Sequence, residues 1–309
     1  MEFKHQPVLL QECIEGLNIK PDGIYVDGTL GGAGHSSKII EKLSSNGKLI
    51  GIDRDEDALK AAKEKLKDYS NVIYLHGNHD NIKELLNSIE VDKVDGILLD
   101  LGVSSYQLDE KSRGFSYMQN DDLDMRMDRT QTLTAKKVIN EYSKDKLIKI
   151  LEEYGEEKFA RKIVTNIIEK RKTSPIETTF ELVDIIKKSI PLSKQNQGHP
   201  AKRTFQAIRI EVNNEIEPLK QTVMDCIDCL KPEGRLCIIT FHSLEDRAVK
   251  QAFIDAEGKC TCPKDLPYCV CGYISLGKVI NKKPIIATKQ EQEENSRSKS
   301  AKLRIFEKK

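Results

Sequence analysis

Four short runs rich in aliphatic and β-branched residues come early in the chain: IYVDGTL (24–30), KLIGIDRD (48–55), NVIYLHGN (71–78) and VDGILLDLG (94–102). Between them, apolar residues recur at three- and four-residue spacing in HSSKIIEKL, EDALKAAKEKL and DNIKELLNSI. The change from one spacing to the other predicts strands alternating with helices. Alternation at roughly 25 residues per unit predicts right-handed βαβ crossovers and a parallel sheet. The fourth run is nearly all apolar, as suits a central strand buried on both faces.

The rhythm then breaks. TAKKVINEYSKDKLIKILEEYG, EEKFARKIVTNIIEKRK and FELVDIIKKSI read as helices, interrupted at TSPIETT and followed by the loop PLSKQNQGHPAKRT. A long helical pattern from Phe205 to Leu230 and a fifth strand, RLCIITFH (235–242), resume the βα order. The pattern predicts an α/β fold with an inserted all-helical domain: residues 1–105 and 201–309 form the core, and 106–200 the insertion. Beyond the fifth strand, GKVI, KPIIAT and LRIF are further β-type runs.

Composition narrows the class. With 38% hydrophobic and 32% charged residues, the chain of 309 reads as a soluble globular protein rather than a disordered one. Its net charge is only +1. Charge is uneven, however: from Lys278 to Lys309 there are eight Lys and two Arg against four Glu, a local +6. Such a tail suits nucleic acid, or is a solvated charged face. No apolar stretch suits a membrane span and the N-terminus does not resemble a signal peptide, so the expected compartment is cytoplasmic and the eight cysteines are expected to be mostly thiols.

VDGTLGGAGHS (26–36) places Gly28, Gly31, Gly32 and Gly34 just after the first strand. A Walker phosphate loop needs a Lys after its last glycine, which is absent here. The spacing also differs from the G-x-G-x-x-G of dinucleotide sites. A third ligand class is a nucleoside without phosphates, such as S-adenosylmethionine, which needs close backbone approach and an acid on its ribose. Asp53, about 20 residues on at the end of the second strand, is placed for that. A plain tight turn, with glycines at positive φ, is the bland alternative.

Ligands of open α/β sheets lie beyond the carboxyl ends of the strands. Asp100 ends the fourth strand, where an acid with only a structural role would be costly. Ser104, Ser105 and Gln107 follow it. The fifth strand runs into His242, Ser243, Glu245, Asp246 and Arg247, and Ser243 is also a plausible helix cap there. The catalytic candidates are therefore Asp100, Ser104, His242 and Asp246.

The runs HQPVLLQE, DGTLGGAGHS, GIDRD, ILLDLGVSSYQLDEKSRGFSY, LDMRMD, YGEEKFARKIV, RTFQAIRIEVNNE, FHSLEDR and NSRSKSAKLR together resemble the RsmH (MraW) family. Its members are S-adenosylmethionine-dependent methyltransferases of a cytosine N4 in small-subunit ribosomal RNA. The resemblance runs from His5 to Arg304. It implies a class I methyltransferase core, Rossmann-like with a mostly parallel sheet, carrying a helical insertion for substrate recognition. It implies cofactor contacts at Ala33, Gly34, His35, Asp53, His79, Asp100 and Gln107. His79 departs from the family, which commonly has an aromatic such as Phe near that point; a flat imidazole is left to cover the adenine. It also implies a target cytidine near the decoding centre, in the P-site region of 16S rRNA within the small subunit. Basic and aromatic residues expected to meet that RNA are Arg113, Phe115, Tyr117, Arg126, Arg203, Arg209, Arg247, Arg297, Lys299 and Lys302.

Two functions of other kinds remain open at this stage: amino methylation of DNA or another nucleic acid, and RNA binding without catalysis. The oligomeric state is open, a homodimer included. CTCPKDLPYCVCG offers Cys260, Cys262, Cys269 and Cys271 as zinc ligands, but C-x-C spacing is off the usual C-x₂₋₄-C pattern, and a cluster of thiols is the alternative. Cys226 and Cys229 fall in a helical pattern and read as small core residues.

Overall fold

The computed structural model describes residues 7–309, except 105, 106, 109, 197, 260, 261, 263–266, 269, 270 and 273 and the side chain of residue 111. The chain divides into two compact units, Met1–Gly102 with Ile216–Lys309, and Val103–Glu215.

In the first unit seven strands form one sheet: β1 (Ile24–Asp27), β2 (Lys48–Asp53), β3 (Val72–His76), β4 (Val94–Asp100), β5 (Leu230–Thr240), β6 (Gly277–Val279) and β7 (Lys302–Lys308). Their order is β3-β2-β1-β4-β5-β7-β6. The first five are parallel, and β7 runs antiparallel to both β5 and β6. This is a Rossmann-like, mostly parallel sheet, as the alternation of strands and helices predicts. The period of two along β4 places Ile97 and Leu99 in one core with the helices Ile82–Asn87, Leu219–Cys229 and Ser243–Glu257. Leu98 faces the other core, with the helices Leu10–Leu17, Gly34–Ile40 and Glu56–Lys65. Cys226 and Cys229 are buried core residues, as their helical spacing predicts.

The second unit consists of the helices Ala135–Glu141, Lys144–Glu153, Ala160–Arg171, Thr179–Ser189 and Lys202–Asn213, with connecting loops. Val138, Leu147, Leu151, Ile163, Ile186 and Ile208 are among the residues that form its own core.

The elements differ from expectation in several places. The single helical pattern over 134–155 breaks at Ser143, whose side chain accepts from Lys146 N and starts a new helix. The pattern from Phe205 to Leu230 is two helices, because Asn214 turns left-handed at φ 49° and Pro218 caps the next one. The first of these packs Phe205, Ala207 and Ile208 into the helical core, so the chain returns to the sheet unit at 216 and not at 201. KPIIAT is not a strand; Ile285 makes only an isolated bridge to Leu303. The helix Leu10–Leu17 carries no clear cap signal in the sequence and was not expected: its N-cap is Leu9, without a side-chain hydrogen bond.

Candidate active site

Three neighbouring strands end in an acid: β1 in Asp27, β2 in Asp53 and β4 in Asp100. Chain order reverses between β1 and β4, so the crevice at their carboxyl ends is where a doubly wound sheet binds its ligand.

The glycine loop leaves β1 at this point. Gly28 N donates to Leu98 O at 2.9 Å, and Asp100 N donates to Thr29 Oγ1 at 2.6 Å, which stitches the loop to β4. The glycines do different work. A Cβ on Gly28 would fall 2.4 Å from Leu99 Cδ2 and 3.3 Å from His79 Cβ. One on Gly34 would fall 2.5 Å from Pro7 Cγ. Gly31 adopts φ +50°, which favours glycine, and a Cβ on Gly32 would meet nothing within 4 Å. Ala33, buried, holds φ 54° without that freedom. Strain of that kind collects at functional sites. Packing thus explains two glycines, and an open approach to the loop remains at Gly32.

Asp53 accepts from Gly31 N at 2.7 Å and Asp55 N at 2.9 Å. A carboxylate that occupies the loop's N–H disfavours a phosphate there and favours a neutral, hydroxyl-bearing group. Protein crowds Asp53 although its edge meets solvent; that desolvation pushes its carboxyl up to about 6 against the two backbone hydrogen bonds. Asp27 is fully buried and is likewise pushed to about 6, opposed by its bonds from Ser36 Oγ at 2.7 Å and Thr29 N at 3.2 Å. Asp27 was not among the expected contacts, although it ends an apolar strand as Asp53 does.

Asp100 is pushed to about 6 by desolvation, with His35 pulling it down and Asp27 and Glu245 pushing it up. Its Oδ1 is buried and has no hydrogen-bond partner among the described residues. Its Oδ2 lies 3.8 Å from His35 Nδ1. His35 Nε2 is 3.0 Å from the carbonyl of Val8, which can only accept, so that nitrogen carries a proton. His79 packs by Gly28, and burial lowers it to about 4, which Asp80 opposes and Arg54 assists. Its ring is therefore neutral at pH 7.

At the end of β5 the helix cap is His242, not Ser243. His242 Nδ1 accepts from Glu245 N, and Glu245 Oε2 accepts from Phe241 N at 2.7 Å and His242 N at 3.2 Å. Asp246 accepts from Arg304 Nε at 2.7 Å and Lys302 Nζ at 3.1 Å. Burial opposes ionisation, but these two cations win and hold Asp246 below the ordinary range. Asp246 thus ties the helix to β7, with both of its oxygens engaged by cations. Ser104 and Gln107 lie in the second unit and close on each other: Ser104 N donates to Gln107 Oε1 at 3.1 Å, and Gln107 N to Ser104 Oγ at 3.2 Å.

Several residues expected to meet RNA have structural duties instead. Arg113 is 1% exposed and its Nη2 donates to the carbonyls of Arg126 and Met127. Phe115 is part of the helical core. Arg126 pairs with Asp124 and donates to the carbonyls of Arg129 and Gln131. Arg209 grips Glu215 with two bonds of 2.9 and 2.8 Å. Arg203 and Arg247 are exposed and Arg297 is half-buried. Of the cysteine cluster, Cys260 and Cys269 lie outside the described residues; Cys262 is half-buried and Cys271 exposed. Among the described residues, no helix is long and apolar enough to cross a membrane.

The chain is similar over its whole length to proteins named Ribosomal RNA small subunit methyltransferase H. That of Clostridium botulinum (strain Kyoto / Type A2) is 61% identical over 308 residues, covering 100% of both chains. That of Lachnospira eligens is 57% identical over 309 residues, covering 99% of this chain and 98% of the other. An rRNA methylase structure from Streptococcus thermophilus superposes with a TM-score of 0.39 at 12% identity, over 97% of this chain and 93% of that one. Residues 2–309 match the description of one family throughout, glycine loop, helical unit and basic tail included, and the chain belongs to the MraW methylase family.

Proposed function

We propose that the chain transfers the methyl group of S-adenosylmethionine to the exocyclic N4 of one cytidine in 16S rRNA, near the decoding centre of the small ribosomal subunit. The name of the full-length relatives supports the RNA class. The observation that carries the chemistry is the buried Oδ1 of Asp100, which has no hydrogen-bond partner among the described residues, beside the open glycine loop. A buried polar atom without a partner in the protein is suited to one on a ligand.

The residues at the β1/β4 crevice fit the cofactor. Gly31 to His35 give its backbone a close approach, and Asp53 keeps lone pairs for ribose hydroxyls beyond those used by Gly31 and Asp55. Neutral His79 offers a flat ring to the adenine. Asp100 completes the contact set within the sheet unit. When bound, S-adenosylmethionine supplies an electrophilic methyl group on a sulfonium, which departs as a neutral thioether.

The rest falls to the chain. The cytosine amine is a poor nucleophile because its lone pair is delocalised into the ring. A carboxylate oxygen of Asp100 accepts one N4–H and draws the nitrogen toward a tetrahedral, reactive form. As the new N–C bond forms, the N–H electron pair stays on nitrogen and the proton passes to Asp100. A carboxyl near 6 is well matched to that task around neutral pH. The protein must also hold the base at near-attack distance after unstacking it from folded RNA. Arg203, Arg247, Arg297 and the basic tail are assigned to phosphates, which position the RNA without reading its sequence.

Asp100→Asn removes the proton acceptor with little change in shape. At saturating cofactor its kcat should fall by roughly 10²–10⁴-fold. A variant with near-normal turnover would sink the role given to Asp100.

A further inference from the structure

The second unit carries an aromatic pocket that the methyl-transfer reading does not use. Its volume is about 270 Å³, and its walls include Tyr117, Met118, Phe180, Val183 and His199. Tyr117 and His199 stack with ring centroids 4.4 Å apart and planes inclined by 14°. Phe205 braces Tyr117 edge-on at 5.7 Å. Phe180 is 43% and Met118 66% exposed, so the pocket has an open apolar rim. Asp184 and Lys187, one turn apart on the helix Thr179–Ser189, complete the lining.

We propose that this pocket holds a second unstacked nucleobase of the substrate RNA, distinct from the base that is methylated. The inference rests on the RNA reading above and adds a binding subsite to it. Three features favour a base over a protein side chain. Stacked and exposed rings offer π-faces, on which any base can stack. Asp184 and Lys187 supply one acceptor and one donor, matching a base edge that carries both kinds of group. The segment 184–203, which includes Lys187 and His199, has four Lys and one Arg against one Asp, a local +4 suited to a polyanion. The volume lies just below the roughly 300–1,000 Å³ of drug-sized sites, which leaves room for one planar ring system. Burial, with help from Lys187, lowers His199 and keeps its imidazole neutral, so its ring stacks without adding charge. The pocket has no glycine loop and no strand-end acid; it holds a base and does not react with it.

The test uses full-length protein and undermethylated small ribosomal subunits. Phe180→Ala and Lys187→Ala should each raise KM for subunits, the former by about 5- to 100-fold as expected for loss of one base–aromatic stack. Their kcat should stay within about twofold, and cofactor affinity should not change. Phe180→Trp should restore KM, because it keeps the π-face. A photoreactive Phe180→p-benzoylphenylalanine should cross-link to a nucleotide other than the methylated one. Unchanged KM in Phe180→Ala, or a cross-link to ribosomal protein alone, would overturn the subsite while leaving the methyltransferase reading intact. Failure of the unsubstituted protein to methylate subunits would show in its own control reaction and would overturn that reading, and with it this occupant.

Discussion

Asp100 is the residue on which structure and chemistry pull in opposite directions. It closes a strand whose Ile97, Leu98 and Leu99 are fully buried, so its charge is held where water is scarce. If the ionised form is the proton acceptor, kcat/KM should fall about tenfold per pH unit below an apparent value near 6, the range to which burial raises this group. His35 holds Asp100 lower than burial alone would, so His35→Ala should move that acidic limb to higher pH. A limb that stays in place would remove His35 from the account. Stability runs the other way. The folded carboxyl takes up its proton at higher pH than the unfolded one, so its contribution is full below about 4 and is lost as pH rises through about 6. At pH 7.5, Asp100→Asn should therefore be the more stable protein by roughly 1–3 kcal/mol, read by denaturant titration, while being catalytically crippled. In the sequence Asp100 stands out as an acid closing an apolar run, and Asp53 by lying about 20 residues after the glycine loop; the structure places both at the ends of strands of the sheet, with Asp27 beside them. The burial of Arg113 was not legible there: its Nη2 donates to the carbonyls of residues 126 and 127, a closure that appears only once the loop is folded.

At the scale of elements, the ends of helices decide what the rim residues do. His242 and Glu245 form a reciprocal cap, and Asp246 anchors that helix to Arg304, which is 5% exposed. Removing Asp246 would leave a buried guanidinium without its carboxylate. Asp246→Ala should cost about 3 kcal/mol of stability yet leave kcat per folded molecule close to normal. Loss of kcat with unchanged thermal stability would restore Asp246 as a catalytic group. The βα alternation was readable from periodicity, and β1 to β5 all stand where the apolar runs predict strands, although β5 begins earlier. The division of the long helical patterns was less visible. Ser143 is an ordinary cap residue, but caps are recognisable only where the apolar stripe also changes face. Asn214 takes a left-handed turn inside a continuous helical pattern, which no spacing rule reveals.

At the scale of the whole molecule, a nearly neutral chain concentrates positive charge in its tail, and the helical unit presents exposed aromatic surface. If the tail and exposed arginines meet phosphates, binding of small-subunit RNA should weaken by roughly tenfold or more between about 50 and 200 mM salt. Cofactor affinity should barely change over the same range. An RNA affinity indifferent to salt would contradict the phosphate assignment. Neither the aromatic pocket of the second unit nor the division of the chain at 216 could be read from composition, because both depend on which helices share a core. The most direct test of the central claim is methyl transfer from labelled S-adenosylmethionine to undermethylated small subunits, naked 16S rRNA and duplex DNA, with mass spectrometry of the product nucleosides. The account predicts a single N4-methylated cytidine in small-subunit RNA. Label in DNA, on a carbon atom or on another base, or cofactor binding with no label transferred, would contradict it.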